Sequence, residues 1–115
     1  MSLGSVTLAL IPGEIFPELV NGQGLHDGDP EALEQIAARY GVERLLIVGL
    51  CNDELGYIIP PSDFLLNDDL PYIEAVTDAT GKNHYEETNS AGRETAACIA
   101  KAFETALKKQ KELKE

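Results

Sequence analysis

Two short apolar runs, Val6-Thr7-Leu8-Ala9-Leu10-Ile11 and Leu45-Leu46-Ile47-Val48-Gly49-Leu50, bracket one amphipathic segment, and that arrangement most restricts the folds open to the chain. Each run is too short for a free-standing helix; the first is β-rich and the second continuously apolar, the pattern of a strand covered on both faces. Between them, Asp29-Pro30-Glu31 reads as a helix start, with a capping oxygen, a proline where no amide is needed and an acid at the positive end of the dipole. Leu33, Ile36, Ala37 and Tyr40 then share one helical face, and Gly41 stops the helix as a left-handed cap. Strand, helix and strand together predict a βαβ unit with parallel pairing and a right-handed crossover.

The remaining segments are read more coarsely. Residues 14–27 are glycine-rich and irregular, with a helical turn near Phe16 to Leu19. Tyr57-Ile58-Ile59 is a short strand ended by two prolines, and Ser62 caps a turn over 63–66. Residues 70–81 carry no decisive pattern, and His84 to Glu87 reads as extended. A long helix is expected from about Ser90, with Ala96, Ile99, Ala100, Phe103 and Leu107 on its buried face. The charged residues 108–115 are expected to fray, and residues 1–5 read as a cloning remnant. The expected fold is α/β, a small and mostly parallel sheet with a long C-terminal helix in one domain over 6–107. Sheet faces and edges that so short a chain can hardly cover predict a partial domain that self-associates or exchanges strands.

Charge excludes one class of partner. Nine basic residues stand against twenty acidic ones, a formal net charge of -11, which repels phosphate backbones and argues against nucleic acid. No apolar run approaches the ~18 residues of a membrane-spanning helix. Cys51 and Cys98 fall at a strand end and in a helix and are expected to be buried, reduced thiols.

Ligands of open parallel sheets gather beyond the carboxyl ends of the strands. The first strand ends in Pro12-Gly13-Glu14 and the second in Cys51-Asn52-Asp53-Glu54-Leu55-Gly56-Tyr57, so parallel pairing brings Glu14 within reach of residues 52–57. Taken alone, Pro-Gly after a strand is ordinary turn chemistry, and a glutamate there is ordinarily solvated. Tyr57 alone fits an amphipathic residue at a sheet end with its hydroxyl in water.

Three segments in order, "IPGEIFPEL", "GLCNDELGYIIP" and "HYEETNSAG", resemble the C-terminal part of the catalytic domain of neutral/alkaline non-lysosomal ceramidases. These are zinc amidohydrolases that cut the N-acyl bond of ceramide. The resemblance implies that Glu14 and Tyr57 are zinc ligands and that Tyr85 donates a hydrogen bond at the scissile carbonyl. Asn52 would shape the turn that aims Tyr57, and Asp53 would lie near enough to assist. The family's two histidine ligands and its serine region precede the matched segments, so the resemblance implies a site completed by upstream sequence of a parent protein. A catalytic zinc normally takes three protein ligands, so two should hold it weakly or not at all. The partners implied are an N-acyl substrate, small-molecule or lipid, and the rest of the parent chain.

Other polar residues admit simpler readings. His26, Asp27 and Asp29 form either a polar turn or an oxygen-rich cation site, and His84 faces away from Tyr85 if both lie in a strand. Asp53 and Glu54 read as solvent-facing acids. Arg93, at a helix start, pairs with Glu86 or Glu87, or else contacts an anionic product. The competing reading of the whole chain is a small acidic α/β binding or assembly module without catalysis.

Overall fold

In the computed structural model, which describes residues 1–65 and 86–113, the chain opens with a hairpin. Ser2–Leu3 (β1) turns through Gly4-Ser5 into Val6–Leu10 (β2), and the two pair antiparallel, Leu3 opposite Val6. Residues expected to lie outside the domain therefore belong to its sheet. After Ile11-Pro12-Gly13 come a two-residue strand, Glu14–Ile15 (β3), and a short helix, Pro17–Asn21 (α1). Next are Leu33–Arg39 (α2), Arg44–Val48 (β4), Tyr57–Ile58 (β5) and the long helix Thr95–Glu112 (α3).

The βαβ unit is present. β2 and β4 pair in parallel with Thr7 opposite Leu45 and Leu10 opposite Val48, and α2 makes the crossover. One sheet has the order β1-β2-β4, and a second, two-stranded parallel sheet joins β3 to β5. Gly41, at φ 73°, follows the last turn of α2 in the left-handed conformation that glycine adopts without a Cβ penalty.

The start of α2 differs from expectation. Ala32, not Asp29, precedes its first turn, and no side chain caps it. Asp29 is used elsewhere. Its carboxylate accepts the His26 amide at 2.9 Å, the Ser62 amide at 2.9 Å and the Ser62 hydroxyl at 2.7 Å, tying two loops together. Burial pushes its pKa up, but these hydrogen bonds outweigh that and hold it below the ordinary carboxylate value. Ser62 accordingly sits inside a 3-10 turn, Pro61–Asp63, instead of capping the one expected after it.

The core lies on one side of the larger sheet. Ala9 and Ile11 pack with Leu33, Ile36 and Ala37 of α2 and with Ala96, Ala100 and Leu107 of α3. Across the top of this layer, Arg39 joins Glu31 at 2.7 Å and Glu104 of α3 at 2.9 Å. The other sheet face is open: Leu10 is 50% exposed, Leu46 55% and Val48 41%. The expectation of strands buried on both faces is thus corrected, because both long-range helical partners, α2 and α3, pack against the same face.

α3 also departs from expectation at both ends. It begins at Thr95, after a 3-10 turn over Glu87–Asn89 that takes in Glu87, the last residue of the segment expected to be extended, and it continues to Glu112 through residues expected to fray. Buried Leu107 and a hydrogen bond from Gln110 Nε2 to Ser2 Oγ hold that last part on the sheet. Cys98 is exposed on α3 and Cys51 half-buried, so neither is the core thiol expected. Among the described residues no helix is long and apolar enough to cross a membrane.

Candidate functional site

The carboxyl ends of β2 and β4 are laced together through backbone groups. Ile11 donates to the Val48 carbonyl at 2.9 Å. In return the Ile11 carbonyl accepts from Cys51 (2.9 Å), that of Pro12 from Leu55 (2.8 Å) and that of Gly13 from Leu50 (3.1 Å). Residues 49–56 therefore bulge outward while spanning the same gap that 11–13 span directly. The bulge needs unusual backbone: Leu50 has φ 53° and Asn52 φ 65°. Asparagine tolerates that region, leucine much less. Asn52, expected to shape this turn, takes the left-handed conformation, and Leu50 is a second left-handed residue that its type does not signal.

Beyond the bulge the parallel pairing resumes, and Glu14 and Tyr57 are register partners in β3–β5. The Glu14 amide donates to the Gly56 carbonyl at 2.9 Å and the Phe16 amide to the Ile58 carbonyl at 3.0 Å. Parallel partners project to the same face of a sheet, and so do residues two apart on one strand. Phe16 supplies an independent check. Its ring meets that of Tyr57 edge-on, centroids 5.9 Å apart and planes at 76°, so carboxylate, phenol and phenyl share one face. Glu14 is exposed and Tyr57 half-buried.

Two glycines permit this closeness. A Cβ on Gly13 would lie 2.6 Å from the Gly56 carbonyl oxygen, and one on Gly56 would lie 1.9 Å from that of Asn89. Tyr57 also forms a parallel bridge with Ser90, so β5 is flanked by β3 on one side and by the approach to α3 on the other. Phe16, Gly56 and Ser90 were not singled out from sequence. Phe16, read from sequence as part of a helical turn, is instead the extended residue between β3 and α1, which sets it on the face of Glu14.

Other expected site residues fare differently. Asp53 is exposed, its amide bonded to the Cys51 carbonyl at 2.8 Å, which turns the loop at the strand end. Arg93 does not pair with Glu86 or Glu87; it donates to the Phe64 carbonyl at 3.0 Å and lies 5.7 Å from the centre of that ring. Glu87 instead accepts the Leu65 amide at 2.8 Å. The His26–Asp27–Asp29 turn resolves as a structural tie, since the Asp29 oxygens are already engaged by amides and a hydroxyl. Tyr85, His84 and the unassigned stretch 70–81 lie outside the described residues.

Among the described residues no group of three or more His, Cys, Asp and Glu side chains converges. A carboxylate oxygen is an ordinary zinc ligand, and the Tyr57 phenol on the same face is a second oxygen donor, so the pair could supply part of a coordination set. No family model, curated protein or solved structure matches the chain.

Proposed function

We propose that this chain is the C-terminal α/β portion of a zinc-dependent amidohydrolase resembling the neutral ceramidases, with Glu14 and Tyr57 as two ligands of a site completed by a parent protein. The observation that carries the reading is the register pairing of Glu14 with Tyr57 in β3–β5. The two residues the resemblance names as ligands are far apart in sequence and adjacent in the sheet.

Zinc, when bound, supplies a Lewis acid and an acidified water for amide hydrolysis. The chain's own residues provide orientation. The Glu14–Gly56 and Phe16–Ile58 hydrogen bonds fix the strand pair, and the Phe16 ring limits the swing of the Tyr57 phenol. Tyr85 is assigned the donor role at the amide carbonyl oxygen, as the resemblance implies, with Asn52 shaping and Asp53 flanking the approach. Arg93 has its guanidinium on Phe64, and an anion contact would need that contact released. The substrate class is an N-acyl amide.

Metal analysis and acyl-amide hydrolysis on the full parent reading frame test this reading. Zinc content and activity both lost in Glu14→Ala and Tyr57→Phe support it. A metal-free parent with no amidase activity overturns it. The second reading, an acidic binding or assembly module, is favoured by the open apolar face of the larger sheet.

A further inference from the structure

Among the described residues β4 is an edge strand, last in the order β1-β2-β4. Ile11 donates to Val48, so odd-numbered residues of β2 bond inward and the groups of Arg44, Leu46 and Val48 meet them. By alternation, the amides and carbonyls of Leu45 and Ile47 point away from β2, and among the described residues neither meets a backbone partner there. Their side chains pack against the core, whereas Leu46 and Val48 stand on the open face. A space of about 460 Å³ beside this edge, lined by Ala37, Ala38, Val42 and Leu45 and by the charged Glu34, Glu43 and Arg44, leaves room for an approaching strand.

We propose that β4 is a self-association edge, and that a second copy of this chain adds its own β4 antiparallel across a two-fold axis, with Leu46 opposite Leu46. The outward groups of Leu45 and Ile47 fit an antiparallel partner in this register, and the apolar face and charge favour a second copy as that partner. In that register Leu45 of one copy faces Ile47 of the other, and each pair exchanges two amide–carbonyl bonds. The open faces become continuous, so Leu46 and Val48 of both copies form one apolar cluster. Charge agrees. Arg44, the strand's single charged side chain, falls opposite Val48 of the second copy, at the end from which that copy's Asp53-Glu54 loop springs. The two Arg44 residues lie about four residue steps apart, ~13 Å, beyond the ~8–10 Å screening length at moderate salt. With a net charge of -11 per chain, association strengthens as salt is raised.

The test is light scattering of the full chain over a range of concentrations, followed by disulfide trapping in a Cys51→Ser, Cys98→Ser background. A non-hydrogen-bonded antiparallel pair has Cα atoms about 4.5 Å apart, within the ~4.4–6.8 Å a disulfide spans. Leu46→Cys is expected to give a covalent dimer under mild oxidation. Val48→Cys, displaced from its copy by ~13 Å, should cross-link at least about tenfold more slowly. Both side chains are exposed, and circular dichroism verifies that each variant retains its fold. A chain monomeric at every concentration overturns the proposal. So does a dimer in which Val48→Cys cross-links as readily as Leu46→Cys, or in which Leu46→Cys fails to cross-link.

Discussion

Glu14 and Tyr57 are direct partners in a parallel strand pair, with the Glu14 amide bonded to the carbonyl of the residue before Tyr57 at 2.9 Å. Any shift of that register by one residue turns one of the two side chains to the opposite face. The shared face of Glu14 and Tyr57 therefore depends on the backbone that sets the register.

Gly56 is the tightest point. It has φ 77°, and a Cβ there would meet the Asn89 carbonyl oxygen at 1.9 Å. Gly56→Ala is expected to cost about 2–4 kcal/mol in urea unfolding, because both the dihedral and the contact must give way. Gly28, at φ 97° with nothing within 4 Å of an added Cβ, is the control. Gly28→Ala carries the dihedral strain alone and should cost about 1 kcal/mol.

Leu50 holds a left-handed conformation at φ 53° with half its surface exposed (52%), so its side chain gains little from burial. Leu50→Asn is expected to stabilise the chain by about 0.5–1 kcal/mol by relieving the backbone. Chemical denaturation of the two proteins side by side checks the sign, and a destabilised variant would show that the leucine makes a compensating contact.

Asp29 predicts an acid-sensitive tie. Its pKa is depressed in the fold, so its contribution is fully present above the unfolded carboxylate value near ~3.9 and is lost as pH falls through the lower folded value. At neutral pH, Asp29→Ala should lose about 1–2 kcal/mol through the three hydrogen bonds it removes. The gap between wild type and variant should shrink as pH is taken below about 4. Thermal unfolding at a series of pH values measures both.

Much of the central fold was legible because its signals are local and periodic. The two apolar runs, the 3.6-residue stripe from Leu33 to Tyr40 and the glycine at 41 each imply one conformation, and together they imply the parallel pair. Asp29 misled because an acid before Pro30 is an equally good helix cap and loop tie, and only the distant Ser62 decides between them. Residues 108–112 look solvated by composition, yet buried Leu107 and the Gln110–Ser2 contact extend the helix, and neither shows in a charged run. Openness of one sheet face was hidden too, since an apolar strand reads alike whether its second face is covered or bare. At the site, strand order brought Glu14 near the 52–57 segment, but the exact partner depended on how many residues the 49–56 bulge absorbs. That number follows from the left-handed backbone at Leu50 and Asn52, of which only asparagine gives notice.

The most direct measurement is an NMR titration of the isotopically labelled chain with zinc, following each backbone amide and the Tyr57 ring. Weak, fast-exchanging shifts centred on Glu14, Gly56 and Tyr57 are expected, removed to the same extent by Glu14→Ala and by Tyr57→Phe. Shifts centred on the His26–Asp29 turn, or shifts at the β3–β5 rim that survive both substitutions, would contradict a shared carboxylate–phenol ligand pair.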